Sequence, residues 1–186
     1  MTNLTNLINT IDELKDVIYG LPGSDLVNSA KKIINNSIKS LLNEYCETSE
    51  HFESVQVVAR DIKAMGCYYT NGAYIAMKPM LLDFVNNYKD ELEDSYDNIL
   101  EFAINTYLHE SRHAKQHADE MEIYNNDSYK VGSTCEGMEF FDLYYDHPKE
   151  VDARDYAEMY TEDAMAYIDE HLFERVVPQI QSLLGM

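Results

Sequence analysis

Two histidines four positions apart, with a glutamate beside the first, are the residues of this sequence best suited to chemistry. They are His109 and His113, and Glu110 directly follows the first. Residues four apart on an α-helix lie on the same face, so both imidazoles can reach one ion. Neutral imidazole is a common zinc ligand, and an adjacent carboxylate can take a proton from water bound to the metal. The spacing therefore predicts a metal site with Glu110 as the general base.

The third ligand of such a site has to come from elsewhere, because a catalytic zinc usually has three protein ligands and one water. The residues after His113 lack the glycine and the third histidine that a metzincin requires. A carboxylate from a downstream helix is the alternative, and Glu150 lies at the start of such a helix. Asp152 and Glu136 stay in reserve, because the interval from His113 to Glu150 is long.

The pattern resembles the gluzincin class of zinc metallopeptidases, whose small intracellular members follow His-Glu-x-x-His with a later Glu-x-x-Ala segment. Here the first element is residues 109–113, and the second is Glu150 with Ala153. The resemblance implies that His109, His113 and Glu150 bind zinc, and that Glu110 activates a water that hydrolyses a peptide bond. It covers about Val55 to Tyr167 in the order of elements, and only the two motifs are specific.

A substrate site also follows from the resemblance. The sheet edge beside the active helix of such proteins usually holds an extended peptide by main-chain pairing. By resemblance, Ala73 to Met77 is that strand. The expected substrate is therefore a protein or peptide.

Further side chains near the two motifs are candidates for supporting roles. Tyr144, Tyr145 and His147 flank the third-ligand segment, and one of them could donate a hydrogen bond to the oxyanion of a tetrahedral intermediate. Packing is the simpler role for each of the three. Asp155 is a candidate for orienting a ligand imidazole through its other nitrogen. His117, one turn after His113, is expected to be exposed or to support the site rather than to bind the metal.

The elements that position these residues begin with a helical hairpin over residues 1–47. Apolar residues recur at intervals of three and four from Asp25 to Tyr45, which predicts a one-sided helix. A shorter helix is expected over residues 5–19, and Leu21-Pro22-Gly23 separates the two. Three short strands are expected between Ser54 and Met77. They include a hairpin at Asn71-Gly72, where both residues tolerate positive φ.

The remaining elements, together with residues 54–77, form the predicted zincin-like core over residues 54–186. Pro79 is expected to begin a helix that runs to about Tyr88. A long helix is expected from Ser95 to Met121, with Phe102 in its buried stripe, followed by a loop region to Tyr145. One further helix is expected from Pro148 and another from Thr161. Together these elements predict a single mostly helical α+β domain, with a sheet of three or four strands packed on the active-site helix.

Composition restricts the class of protein and its partners. The chain has 186 residues, enough for one domain, and a formal net charge of −20, which makes nucleic acid a poor ligand. Acidic residues are concentrated between Glu136 and Glu174. Solvated helix faces are the simpler interpretation of this run, and selection of a basic peptide substrate is the functional alternative. No apolar run reaches the length of a membrane span, and the first residues do not look like a signal peptide, so we expect a cytoplasmic protein. The three cysteines have no Cys-x-x-Cys pairing and are expected to be reduced.

Other functions are compatible with the same residues. The chain could be an acidic, non-catalytic protein-binding module, an inhibitor or regulator, in which the metal only supports the fold. An inactivated zincin fold is disfavoured because His109, Glu110 and His113 are all present. Two histidines and a carboxylate suit zinc, but they also accept iron(II), manganese or cobalt.

Overall fold

Three long helices dominate the structure, a computed structural model that describes residues 23–84, 93–121 and 144–183 and the side chains of these except 23–26 and 93–99. They are α1, Gly23–Thr48; α3, Glu93–Ala118; and α4, Pro148–Leu183. A short helix α2, Pro79–Leu82, lies between the sheet and α3. The helix expected over residues 5–19 lies outside the described residues, and so do Glu136, Cys135 and most of the predicted loop region.

Helix α1 confirms the one-sided helix expected over Asp25–Tyr45. The apolar residues at helical spacing are those that lose their solvent exposure: Ala30, Ile34, Ile38, Leu41, Leu42 and Tyr45. This stripe belongs to the same core cluster as the buried face of α4, and the Tyr45 hydroxyl donates a hydrogen bond to Asp163 Oδ2 at 3.0 Å. Helix α1 is therefore part of the core that supports α4.

Three short strands form a mixed sheet, as expected: β1, Gln56–Ala59; β2, Gly66–Tyr69; and β3, Tyr74–Met77. The strand order is β1-β3-β2, with β1 parallel and β2 antiparallel to β3. The predicted hairpin joins β2 and β3, and the Ala73 N–H donates to the Thr70 carbonyl at 3.3 Å. Positive φ falls on Gly72 (103°) and Ala73 (46°), one position later than the Asn71-Gly72 pair.

The expectation that Ala73–Met77 forms a sheet edge was wrong. Strand β3 is hydrogen-bonded on both sides, to β1 and to β2, which makes it the central strand. Its residues Ile75, Ala76 and Met77 are buried, as is typical of a strand covered on all sides. The strand that lies next to α3 and has an edge not paired to another described strand is β2.

Two helix boundaries also differ from the expectations. Helix α2 ends at Leu82 instead of near Tyr88, because Asp83 leaves the helical region (φ −103°, ψ 70°) and its carboxylate accepts a hydrogen bond from Asn35 on α1. The two helices expected from Pro148 and Thr161 are one helix, α4. Thr161 does not cap a new helix, because its hydroxyl donates to the Ala157 carbonyl one turn earlier.

Helix α3 lies between the sheet and α4. Its buried stripe faces the core and consists of Leu100, Ala103, Ile104, Tyr107 and Leu108. Phe102, expected in this stripe, is 48% exposed because it points to the other side of the helix. The described residues therefore confirm a mostly helical α+β fold with a small sheet packed on α3. Within these ranges, no helix combines the length and apolar character needed to cross a membrane.

Candidate metal centre

The three ligands expected from the sequence lie together where α3 meets the first turn of α4. His109 and His113 come from α3, and Glu150 comes from α4. The two histidine Nε2 atoms are 3.1 Å apart, and Glu150 Oε2 is 3.3 Å from that of His109 and 3.2 Å from that of His113. These three residues form a group that could hold a metal ion.

The spacing of the donor atoms fits a small divalent cation. Ligands about 2.0–2.1 Å from a tetrahedral zinc lie roughly 3.3 Å from one another. The measured separations of 3.1, 3.2 and 3.3 Å are close to that value on all three sides of the triangle. Glu150 is buried, whereas the His109 side chain keeps 15% of its exposure, so one side of the group faces solvent. The donor set of two imidazoles and one carboxylate does not by itself select zinc over iron(II), manganese or cobalt.

Small side chains on α4 let this helix approach α3 closely enough to form the triangle. Ala153, one turn after Glu150, is fully buried, as are Ala157 and Ala164 further along the same face. Asn105 on α3 donates a hydrogen bond to Thr161 on α4 at 3.1 Å, within the same contact. The Glu-x-x-Ala spacing thus places a carboxylate and a close-packing position on the same side of α4.

The charges in the triangle favour a deprotonated Glu150. Burial acts to raise the pKa of Glu150, but hydrogen bonds from His109 and His113 outweigh it and hold the pKa well below its ordinary range. Burial acts to lower the pKa of His113, and the hydrogen bond and charge of Glu150 outweigh this effect and raise it. The carboxylate is therefore ionised at neutral pH, as a metal ligand must be.

Gln116 fixes which nitrogen of His113 carries the proton. The Gln116 amide nitrogen donates to the Lys149 carbonyl at 2.9 Å and to Asp152 Oδ2 at 2.7 Å, and both of these oxygens are acceptors. The Gln116 oxygen must therefore face His113 Nδ1, 2.9 Å away, and accept a hydrogen bond from the N–H at that position. In the neutral ring, Nε2 of His113 then carries the lone pair and faces the same point as His109 and Glu150, whereas the protonated ring donates from Nε2 to Glu150. Such partners set the orientation and basicity of metal ligands.

Arg112 holds Asp152, the residue that accepts a hydrogen bond from Gln116. Its guanidinium forms two hydrogen bonds to Asp152, at 2.7 and 3.1 Å, and a third to the His51 carbonyl at 2.8 Å. The guanidinium also lies 3.9 Å above the Tyr156 ring. Burial acts to raise the pKa of Asp152, but the hydrogen bonds from Arg112 and Gln116 lower it overall. Asp152, the reserve ligand, therefore binds Arg112 and Gln116 and is not part of the triangle.

Sequence reasoning missed the roles of Arg112 and Gln116. A signal was present, since Gln116 is three residues after His113 and four after Arg112, the spacings at which helix side chains meet. The spacing does not reveal which residue of α4 pairs with Arg112 and Gln116. That residue is Asp152, and it could be identified only once the two helices were packed.

The side chain of Glu110, on α3, reaches the edge strand β2. Its Oε2 accepts a hydrogen bond from the Tyr68 N–H at 2.7 Å, and the residue is only 8% exposed. The strand can come this close because position 66 is a glycine. A Cβ atom there would be 2.8 Å from Thr106 Cγ2 and 2.9 Å from Glu110 Cγ. The carboxylate is thus held against the backbone of β2, and its charge helps to raise the pKa of His113.

The other candidate residues differ in how far they are buried around the start of α4. His147 is buried just before α4, and its Nδ1 accepts a hydrogen bond from the Lys149 N–H at 3.4 Å. Burial lowers the pKa of His147, and Lys149 lowers it further. Tyr144 is half-buried in the same turn. Tyr145 is 59% exposed and Asp155 is exposed on α4, so neither is brought to the triangle.

His117 supports the neighbourhood of the site without entering the triangle. Its Nδ1 lies 3.0 Å from the Tyr68 hydroxyl, which connects the last turn of α3 to β2. Tyr68 is therefore held at two points, by Glu110 through its backbone and by His117 through its side chain.

Comparisons with known proteins gave no family for the chain. No protein-family model, no curated protein and no solved structure matches it. Function therefore has to be inferred from the geometry and chemistry of the site itself.

Proposed function

We propose that the chain is a zinc metallopeptidase that hydrolyses a peptide bond, with Glu110 as the general base. The observation that carries this proposal is the triangle of His109, His113 and Glu150 donor atoms, 3.1 to 3.3 Å apart. A zinc ion bound there would act as a Lewis acid on water and on the scissile carbonyl. A glutamate that follows the first ligand on the same helix supplies the base that such a reaction needs.

The proton transfers are assigned to Glu110. The Tyr68 N–H engages Glu110 Oε2 and thereby fixes the orientation of the carboxylate. We assign proton transfer to Oε1, which would accept a proton from the attacking water and deliver it to the leaving amine. Of the three flanking residues, His147 is buried and is the nearest to Glu150 in the sequence. We therefore assign to His147 the hydrogen bond to the oxyanion.

The substrate would be an extended peptide paired with β2. Strand β3 has both edges occupied, so a peptide that extends this sheet beside Glu110 has to bind at β2. The net charge of −20 favours peptides with Lys or Arg near the cleaved bond. Peptides matched in length that carry Lys or Asp beside the cut measure this preference, and equal cleavage rates would contradict it.

An acidic protein-binding module with a structural metal is the second candidate. It is favoured by one observation: the Glu110 carboxylate bonds the Tyr68 N–H and so joins α3 to β2, which is a structural role. In that case the metal would hold α3 and α4 together, and the acidic surface would bind a basic protein.

Glu110→Gln separates the two candidates, because glutamine retains the side-chain shape and an acceptor for Tyr68 but cannot act as a base. Glu101→Gln, at an exposed position of the same helix, is the matched control. We expect Glu110→Gln to keep its metal content and its fold while peptide hydrolysis falls by about 10²- to 10⁴-fold. The control should cleave at the wild-type rate. Hydrolysis by Glu110→Gln at the wild-type rate would contradict the assigned role.

A further inference from the structure

One face of α1 lines a cavity of about 440 Å³ that contains none of the residues of the metal centre. The opposite wall is formed by Ala59 at the end of β1, by Pro79 and Leu82 of α2, and by Asp83. The residues that α1 contributes recur at intervals of three and four and are all lysine or asparagine: Asn28, Lys31, Lys32, Asn35, Asn36 and Lys39. The cavity is within the size range of small-molecule sites.

The charge of this cavity is opposite to that of the chain. Three lysines face one aspartate, a formal charge of +2, in a protein whose net charge is −20. Lysine ammonium groups are common phosphate binders, because they are compact point charges with three donors each. Burial lowers the pKa of Lys39, against the opposing effect of Asp83, and an anion beside it would favour the charged form. The lining is therefore suited to an anionic ligand.

Asn35 adds a requirement for a hydrogen-bond donor. Its amide nitrogen donates to Asp83 Oδ1 at 3.0 Å, and its Oδ1 is buried with no partner among the described residues. A buried acceptor without a donor is costly, so such atoms are usually satisfied by water or by a ligand. An ionised phosphate group has only acceptors. A hydroxyl group on another part of the same ligand would supply this donor.

We propose that this cavity binds a small phosphomonoester that carries a hydroxyl group. The lysines of α1 hold the phosphate, and Asn35 accepts a hydrogen bond from the hydroxyl. A long polyanion is not the expected ligand, because the net charge of −20 repels it outside the cavity. This site is independent of the proposed peptidase activity, because no residue is shared.

Calorimetric titration of the full chain at low ionic strength tests the proposal, with ribose 5-phosphate, inorganic phosphate and ribose as probes. We expect ribose 5-phosphate to bind with a Kd below about 1 mM, inorganic phosphate to bind more weakly, and ribose to give no heat. Replacing Lys31, Lys32 and Lys39 together with glutamine should weaken ribose 5-phosphate binding by at least about tenfold. Lys63→Gln, an exposed lysine outside the cavity, is the matched control and should bind as the wild type does.

Two further variants keep the result interpretable. Asn35→Ala should remove the preference for ribose 5-phosphate over inorganic phosphate, and its circular dichroism melting curve checks that it folds. His113→Ala should bind ribose 5-phosphate as the wild type does. Loss of binding in His113→Ala with retention in the triple-lysine variant would place the phosphate at the metal centre and overturn the proposal. Absence of binding to the wild type, or equal affinity of the triple variant and Lys63→Gln, would also overturn it.

Discussion

Replacing Gln116 with methionine should weaken zinc binding although Gln116 does not touch the ion. Methionine preserves the volume and flexibility of the side chain but removes its amide. Gln116 is fully buried and forms three hydrogen bonds, to His113 Nδ1 at 2.9 Å, to the Lys149 carbonyl at 2.9 Å and to Asp152 at 2.7 Å. The variant leaves all three partners without Gln116, and it frees the His113 ring to rotate or to change tautomer.

Two separate magnitudes follow from this loss. Partners of metal ligands contribute about 10- to 100-fold to metal affinity, which corresponds to about 1.4 to 2.7 kcal/mol. The free energy of unfolding should fall by about 3 kcal/mol, since three buried hydrogen bonds at about 1 kcal/mol each are removed. The effect on stability reports packing and hydrogen bonding in general, whereas the effect on zinc affinity reports the orientation of His113.

Competition with a chromophoric chelator measures zinc affinity, and urea unfolding of the metal-free chain measures stability. Gln116→Glu separates the two effects, because glutamate still accepts a hydrogen bond from His113 but cannot donate to Lys149 or Asp152. We expect Gln116→Glu to be destabilised and yet to bind zinc more tightly than Gln116→Met. Gln179→Met, in the same family of substitutions on the exposed side of α4, is the control. If folded Gln116→Met bound zinc with the wild-type Kd, the reasoning about the tautomer would be refuted.

Three further predictions test other parts of the structure. Gly66→Ala should destabilise the fold by about 1 to 3 kcal/mol in urea unfolding, because the new Cβ would lie 2.8 Å from Thr106 Cγ2. Adding Thr106→Ser, which removes that methyl group, should recover part of the loss, and no recovery would contradict the steric account. The hydrogen bond from Arg175 lowers the pKa of Glu44, so this pair stabilises the fold above the ordinary pKa of 4.5 and the stabilisation disappears as pH falls through the lowered value. Glu44→Gln should therefore be slightly less stable than wild type at pH 7, by under about 1 kcal/mol for so exposed a pair, and the difference should shrink as pH falls through the lowered pKa; a constant difference would contradict this sign. Burial raises the pKa of the Cys46 thiol to about 12, so mass-spectrometric mapping should find it unlabelled by a thiol reagent at pH 8 until urea is added; rapid labelling in the native state would contradict its burial.

The elements that sequence predicted best are those with a local cause. The apolar stripe of α1 has the helical period over its whole length, and the start of α4 is marked by a proline. His109 and His113 share a helical face, so their proximity required only that α3 be a helix. Glu150 had no such local cause: the sequence left Asp152 and Glu136 as alternatives, and the resemblance to a Glu-x-x-Ala segment singled out Glu150.

The features that sequence did not predict depend on contacts between distant segments. Ala73–Met77 has the composition of either an edge or a central strand, and only its parallel pairing with β1 makes it central. Thr161 was expected to begin a new helix, yet its hydroxyl donates a hydrogen bond to the Ala157 carbonyl inside a continuous helix. Asp152 carries a carboxylate like Glu150 and is only two residues away, but on a helix this spacing directs the two side chains differently. The rotation of α4 therefore decides which carboxylate faces the histidines.

The stoichiometry of bound zinc in the purified chain tests the central claim most directly. Elemental analysis should find one zinc per chain in the wild type and in Asp155→Asn, which removes an exposed carboxylate from the same helix as Glu150. His113→Ala and Glu150→Ala, folded by circular dichroism, should each lose most of this zinc at equal free metal concentration. A full equivalent of zinc in Glu150→Ala, or none in the wild type after exposure to zinc, would contradict the claim that these three residues bind the metal.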